Sequence, residues 1–106
     1  MGWVVEVLNA AVPELEALPA DMRARFHRLV ELIEAIGLEK VHEPHVKHLE
    51  EKLWEMRLTG RDGIARAIYL TATGRRVIVL RVFVKKTQNT PTNELEIARW
   101  RAKECL

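Results

Sequence analysis

Cysteine is almost missing from this chain. Cys105 is alone among 106 residues, so no internal disulfide forms and no cysteine cluster can hold a metal. That usage suits a reducing, cytoplasmic setting. No apolar run approaches the roughly 20 residues needed to span a bilayer. The start, Met-Gly-Trp-Val-Val-Glu-Val, lacks the basic end and apolar core of a secretion signal. There is no glycine-rich phosphate loop, no Ser-His-Asp order and no isolated carboxylate pair, and with them go the nucleotide-loop and triad chemistries. Repeats, low-complexity tracts and linkers are also lacking. A single domain over residues 1–106, without a cofactor, is expected.

What the chain does have is a 48% apolar fraction, enough for a modest core, and 30% charged residues. The net charge of +2 hides an asymmetry. Residues 1–46 carry 4 Lys/Arg against 8 Asp/Glu, whereas residues 47–86 carry 10 against 4. Basic charge gathered in one region points to a polyanionic partner, of which nucleic acid is the commonest; solvated strand edges are the plainer alternative.

The order of elements follows from local pattern. Trp3 to Leu8 reads as a strand. Pro13 opens a short helix that stops before Pro19. Asp21 is placed to cap a second helix. Met22, Phe26, Leu29, Val30, Ile33 and Ile36 form its apolar stripe, and Gly37 ends it. Glu39 to Glu51 shows no period, contains Pro44 and reads as a loop. Its His42, His45 and His48 recur every three residues, but Pro44 works against the convergence a metal needs, so no metal site is expected. His45 or His48 is a candidate proton donor or acceptor.

Leu53 to Thr59, Ile64 to Ala72 and Val77 onward read as three strands joined by the short turns 60–63 and 73–74. The last strand breaks its apolar run at Arg81 and ends in Lys85 and Lys86. Arg81 either meets a carboxylate at the core's edge or joins Lys85 in lining an anion groove. With a two-residue turn at 73–74, Arg66 would face Arg81, and with a four-residue turn at 60–63, Arg57 would face Arg66. Three arginines would then lie in a row on one face, and like charges so placed destabilise a sheet unless an anion sits among them. The opposite face would carry Met56, Leu58, Ala65, Ala67, Tyr69, Leu80, Val82 and Val84. Asn93 with Glu96 marks the start of a last helix running to about Lys103, with Leu95, Ala98 and Ala102 inward. Trp100 is assigned to the core or to a partner surface.

Such a groove suits RNA cleavage. The 2′-hydroxyl is an internal nucleophile, and arginine forks stabilise the charge that develops on phosphate. The proton carrier would be a lysine with a lowered pKa, a histidine or a polarised water.

Several strings carry a family resemblance: Lys47-His48-Leu49, Leu53-Trp54-Glu55-Met56-Arg57, Ala65-Arg66-Ala67-Ile68-Tyr69, Phe83-Val84-Lys85-Lys86-Thr87-Gln88-Asn89-Thr90-Pro91 and Glu94-Leu95-Glu96-Ile97-Ala98. Together they resemble the phage-derived Gp49-like (HigB-type) toxins of the RelE/ParE toxin–antitoxin superfamily, over about Pro44 to Lys103. The resemblance implies an α+β, RelE-like fold: two N-terminal helices on an antiparallel sheet, with a C-terminal helix. It implies a metal-independent endoribonuclease that cuts mRNA on the ribosome. A cognate antitoxin of helix-turn-helix, HigA-like type would neutralise it in a toxin–antitoxin hetero-oligomer. Arg57, Arg66 and Lys85 match the family's basic positions, and Arg81 stands where many relatives have histidine. The expected catalytic set is Arg57, Arg66, Arg81 and Lys85. The expected RNA-contacting set is Lys47, His48, Lys52, Arg61, Lys86 and Thr87. A ParE-like gyrase inhibitor and a non-catalytic basic nucleic-acid-binding module are the competing functions.

The charge of residues 47–86 makes one prediction directly. Binding to an RNA oligonucleotide should weaken steeply as salt is raised, because phosphate contacts release counterions. A titration that is flat in ionic strength would contradict it.

Overall fold

The computed structural model describes residues 2–85 and 90–105. One sheet organises them. Its five strands are β1 (Val4–Val7), β2 (Val46–Glu50), β3 (Leu53–Gly60), β4 (Gly63–Ala72) and β5 (Arg76–Lys85), in the spatial order β1-β5-β4-β3-β2. Strands β2 to β5 form an antiparallel meander, and β1 adds to the β5 edge in parallel. The helices are α1 (Val12–Glu16), α2 (Ala20–Ile36) and α3 (Thr92–Cys105).

Strand alternation sends two sets of apolar side chains to opposite faces. Met56, Leu58, Ala65, Ala67, Tyr69, Val77, Val79 and Val82 meet the α2 stripe of Met22, Phe26, Leu29 and Ile33. Leu53, Ile68, Leu70, Ile78, Leu80 and Phe83 meet Ala98 of α3, with Leu95 and Ala102 beside it. Every strand buried on both faces needs such a pair of layers, which is why β4 and β5 read as continuous apolar runs.

The helix boundaries differ from expectation in their caps. Asp21 lies inside the first turn of α2, one residue past its start at Ala20. Its carboxylate accepts from the Met22 and Arg61 main-chain N–H groups, the latter at 2.6 Å. The β3–β4 hairpin is thereby tied to the start of α2, and Gly60 makes room for this approach: a Cβ there would lie 2.7 Å from Met22. Gly37 ends α2 at φ +95°. Ile36, placed in the stripe, is 49% exposed. Asn93 lies within α3, which begins at Thr92.

The segment read as a loop contains β2. Its exposed Lys47 and His48 alternate weakly with Val46 and Leu49, so an edge strand there shows almost no period. The β4–β5 turn has three residues, 73–75, with Ala72 paired to Arg76. Gly74 and Arg75 both take positive φ. A bulge then adds one more residue to β5, since Tyr69 pairs with Val79 and Ile68 with Arg81. Each change shifts register by one residue, and together they move Arg66 from Arg81 to Phe83 without changing its face. Leu80, expected beside α2, packs beneath α3 instead.

Arg81 therefore sits two pairs along the ladder from Arg66, opposite Ile68 at the bulge. Its guanidinium donates to Glu94 of α3 at 2.6 Å and to Glu14 of α1. Glu14 also accepts from both Nη groups of Arg101, each at 2.9 Å, and from the Val82 N–H at 3.1 Å. One carboxylate thus joins α1, β5 and α3. Burial opposes the charge on Glu14, but the Arg101 and Val82 hydrogen bonds and both arginine charges outweigh it and hold its pKa low. Its stabilisation is present above the unfolded carboxylate pKa and is lost as pH falls through the lower folded value. Glu14→Ala should destabilise the fold by about 3 kcal/mol, because it leaves two guanidinium groups without their shared anion. Denaturant unfolding checks this, and a change under about 0.5 kcal/mol would contradict it.

Candidate functional site

The far end of the α3 face, toward the β3–β4 hairpin, is not apolar. Alternation on β3 carries Glu55 and Arg57 to this face after Leu53. On β4 it carries Arg66 before Ile68, and on β5 it carries Lys85 after Phe83. Arg57 and Arg66 face each other directly, in the expected register, although Gly60 and Gly63 also pair and shorten the expected four-residue turn to residues 61 and 62. Lys85 pairs with Ile64, diagonal to Arg66. Two strand arginines and a lysine therefore meet in one place.

Glu55 lies at the centre and is 1% exposed. Its carboxylate accepts from the Nη1 of Arg66, itself 2% exposed. The second oxygen accepts from the Thr90 hydroxyl at 2.7 Å. Arg57 Nε lies 3.8 Å from the same carboxylate, with 27% of the Arg57 side chain exposed. Glu55 is thus the anchor for the buried arginine and the near neighbour of the exposed one.

The carboxylate does not saturate the donors. The Nε–H groups of Arg57 and Arg66 are both buried, and neither has a hydrogen-bond partner among the described residues. Buried donors are nearly always paired, so two in one cluster call for an acceptor. Lys85 is 7% exposed. Burial and the neighbouring Arg66 charge push its pKa below the ordinary lysine value; Glu55 opposes this, and Arg57 and Lys47 add to it. The arrangement can bind a tetrahedral anion through planar forks and can present an amine poised to lose its proton.

The other expected site residues scatter. Arg81 is held by Glu14 and Glu94, so the expected row of three arginines is a row of two. Of its two readings, the carboxylate-paired one describes what is seen. Lys47 lies opposite Glu55 on β2. The His45 carbonyl accepts from the Arg57 N–H at 2.9 Å. His48 lies across from Trp54 on the α2 side, its ring edge-on with centroids 4.9 Å apart. Its Nε2–H donates to the Glu51 carbonyl at 2.9 Å. Lys52 occupies the β2–β3 turn, at the other end of β3 from Arg57. Arg61 is at the hairpin tip, bound through its main chain to Asp21. Lys86 and Thr87 lie outside the described residues. Among the described residues no three His, Cys, Asp or Glu side chains are grouped to hold a metal ion.

Sequence reasoning passed over Glu55 and Thr90 as site residues. The available signal was Glu55 two positions before Arg57, hence on the same strand face. Burial predicts that the two arginines differ in stability. Arg66→Ala should cost about 3 to 5 kcal/mol by stranding a buried carboxylate, while Arg57→Ala should cost about 1 kcal/mol or less. Denaturant unfolding of the two variants checks this; equal losses would contradict the geometry.

Comparison with known proteins follows the same line. A family model described as phage-derived protein Gp49-like matches residues 13–103. No curated protein sequence matches the chain. Among solved structures, the archaeal RelE–RelB complex from Pyrococcus horikoshii OT3 is similar at a TM-score of 0.61 and 22% identity, over 79% of this chain and 96% of that one. The isolated Escherichia coli RelE toxin is similar at a TM-score of 0.52 and 17% identity, over 99% of this chain and 100% of that one. At such identities the likeness is one of fold. The match over most of its length makes this chain a member of the phage-derived Gp49-like family, built on the fold seen in RelE.

Proposed function

We propose that this protein is the toxin of a type II toxin–antitoxin pair and cleaves mRNA on the ribosome. In this reading Arg57, Arg66 and Lys85 surround the phosphate that is cut. The observation that carries it is the pair of buried Nε–H groups without hydrogen-bond partners among the described residues, in a cluster of three cations and one carboxylate. A phosphodiester supplies acceptors for both donors and the missing negative charge. Membership of the Gp49-like family and the RelE fold support the same reading.

The chemistry needs no external nucleophile. The 2′-oxygen attacks the adjacent phosphorus, and the bond to the 5′-oxygen breaks, leaving a 2′,3′-cyclic phosphate and a 5′-hydroxyl. Lys85, whose proton is made easier to lose by burial and by its cationic neighbours, takes the 2′ proton once it is neutral. Water returns a proton to the departing 5′-oxygen. Arg57 and Arg66 stabilise the charge on the non-bridging oxygens, which grows in the transition state. Glu55 is a positioning residue that fixes the Arg66 plane. Arg81 has no part in this step.

The partner proposed is a cognate antitoxin of helix-turn-helix, HigA-like type. The P. horikoshii RelE was solved in complex with RelB, which supports a protein partner for this fold. The cytoplasmic location follows from the proposed target.

Cleavage of a short message on purified ribosomes tests the reading. Arg57→Ala should lower the rate about 100-fold or more, and Lys85→Ala about 100- to 10,000-fold. The parent rate should rise with pH and level off below the ordinary lysine range, as the lowered Lys85 pKa dictates. Uncut messages together with inhibited gyrase would overturn the proposal and favour the ParE-like alternative.

A further inference from the structure

A sizeable cavity lies on the other side of the sheet from the arginines. It holds about 710 Å³, within the range of small-molecule sites. It opens beyond the end of α2, between the segment that follows Gly37 and the β2 edge of the sheet. Trp3, Glu39, Lys47, His48, Trp54 and Tyr69 are among its lining residues. The Trp3 indole N–H donates to Glu39 at 3.0 Å and ties one wall together.

Three aromatic rings cross this cavity in a line set by strand pairing. His48 on β2 faces Trp54 on β3, and Trp54 faces Tyr69 on β4. Tyr69 is buried as a floor, whereas Trp54 is 38% exposed. The α2 stripe does not cover Trp54, although its neighbours Met56 and Leu58 on the same face are sealed beneath α2. A large ring left partly open in a cavity offers a stacking surface.

Lys47 connects this cavity to the arginine cluster. It lines the cavity, and its charge also acts on Lys85 on the other face. β2 is the edge of the sheet, so no further strand among the described residues separates the two faces beyond it. A strand of RNA that places a phosphate among Arg57, Arg66 and Lys85 can pass over this edge along Lys47.

We propose that the cavity is a base-binding subsite: one unstacked nucleobase of the same RNA strand seats against Trp54, while its backbone crosses β2 beside Lys47. This rests on the RNA-cleavage reading above. It adds a second point of contact, on the opposite face of the sheet from the phosphate cluster. Stacking on an aromatic face is tolerant of sequence, because every base offers a π surface.

Binding of a short single-stranded RNA and of inorganic pyrophosphate, measured for the full chain at fixed ionic strength, tests the subsite. Trp54→Leu should weaken RNA binding about tenfold, in the range that stacking of one base supplies, and leave pyrophosphate binding unchanged. Trp54→Phe should retain RNA affinity to within about threefold, since it keeps a ring face; it also guards against loss through misfolding. Arg57→Ala should weaken both ligands. Equal RNA affinity in the parent and Trp54→Leu would overturn the subsite, and so would equal losses of RNA and pyrophosphate in Trp54→Leu. If Arg57→Ala still weakens RNA binding in either case, the cleavage reading stands. Absence of RNA binding by the parent would overturn both.

Discussion

The Glu55 carboxylate is the constraint on which the site depends. It is buried among Arg66, Arg57 and Lys85, and it is the acceptor for the least exposed of them. Without it, two strand arginines directly opposite one another would repel across a sheet with little water to screen them. With it, the cluster is held together but not neutralised. A single negative charge faces three positive ones, and two guanidinium N–H groups make no hydrogen bond among the described residues. A site of this kind is stable enough to fold and is still short of one anion. Burial first, and then the neighbouring Arg66 charge, lowers the Lys85 pKa, with Arg57 and Lys47 adding to it, so the cations that leave the cluster short of an anion also ease loss of the Lys85 proton.

The rest of the fold keeps that cluster open. α3 seals one end of its sheet face with Ala98, Leu95 and Ala102 and leaves the hairpin end to the charged residues. The position of α3 is set by a second charged network, in which Glu14 gathers Arg81 and Arg101. Glu94 adds a direct link from α3 to Arg81. The two networks hold different arginines of the sheet, Arg81 in one and Arg57 and Arg66 in the other. One is closed, with each guanidinium facing carboxylates; the other is open. Which arginine belongs to which is decided by the β5 bulge, because it places Arg81 under α3 and Phe83 beside Arg66.

Much of this was legible in the sequence, and the reasons are specific. The order of elements followed from the α2 stripe, from Gly37 and from the two hairpins. The facing of Arg57 and Arg66 followed from a turn length alone. Arg81 was misplaced because a three-residue turn and a bulge leave no mark on hydrophobic alternation when their shifts add to two. β2 was missed because an exposed edge strand carrying Lys47 and His48 lacks the apolar face that reveals a strand. Glu55 was missed as a centre because burial of a carboxylate is a property of neighbours on other strands. Lys85 was placed with the basic residues by strand alternation, and the family strings added the match of Arg57, Arg66 and Lys85 to the family's basic positions.

The most direct measurement of the central claim is NMR observation of the arginine Nε–H resonances of Arg57 and Arg66 during titration with a short RNA whose 2′-hydroxyl is removed at the cleavage position. If phosphate enters the open cluster, both resonances shift and their exchange with water slows as RNA binds. If RNA binds while both resonances stay where they were, the cluster around Glu55 is a structural ion network and not the place where the phosphate sits.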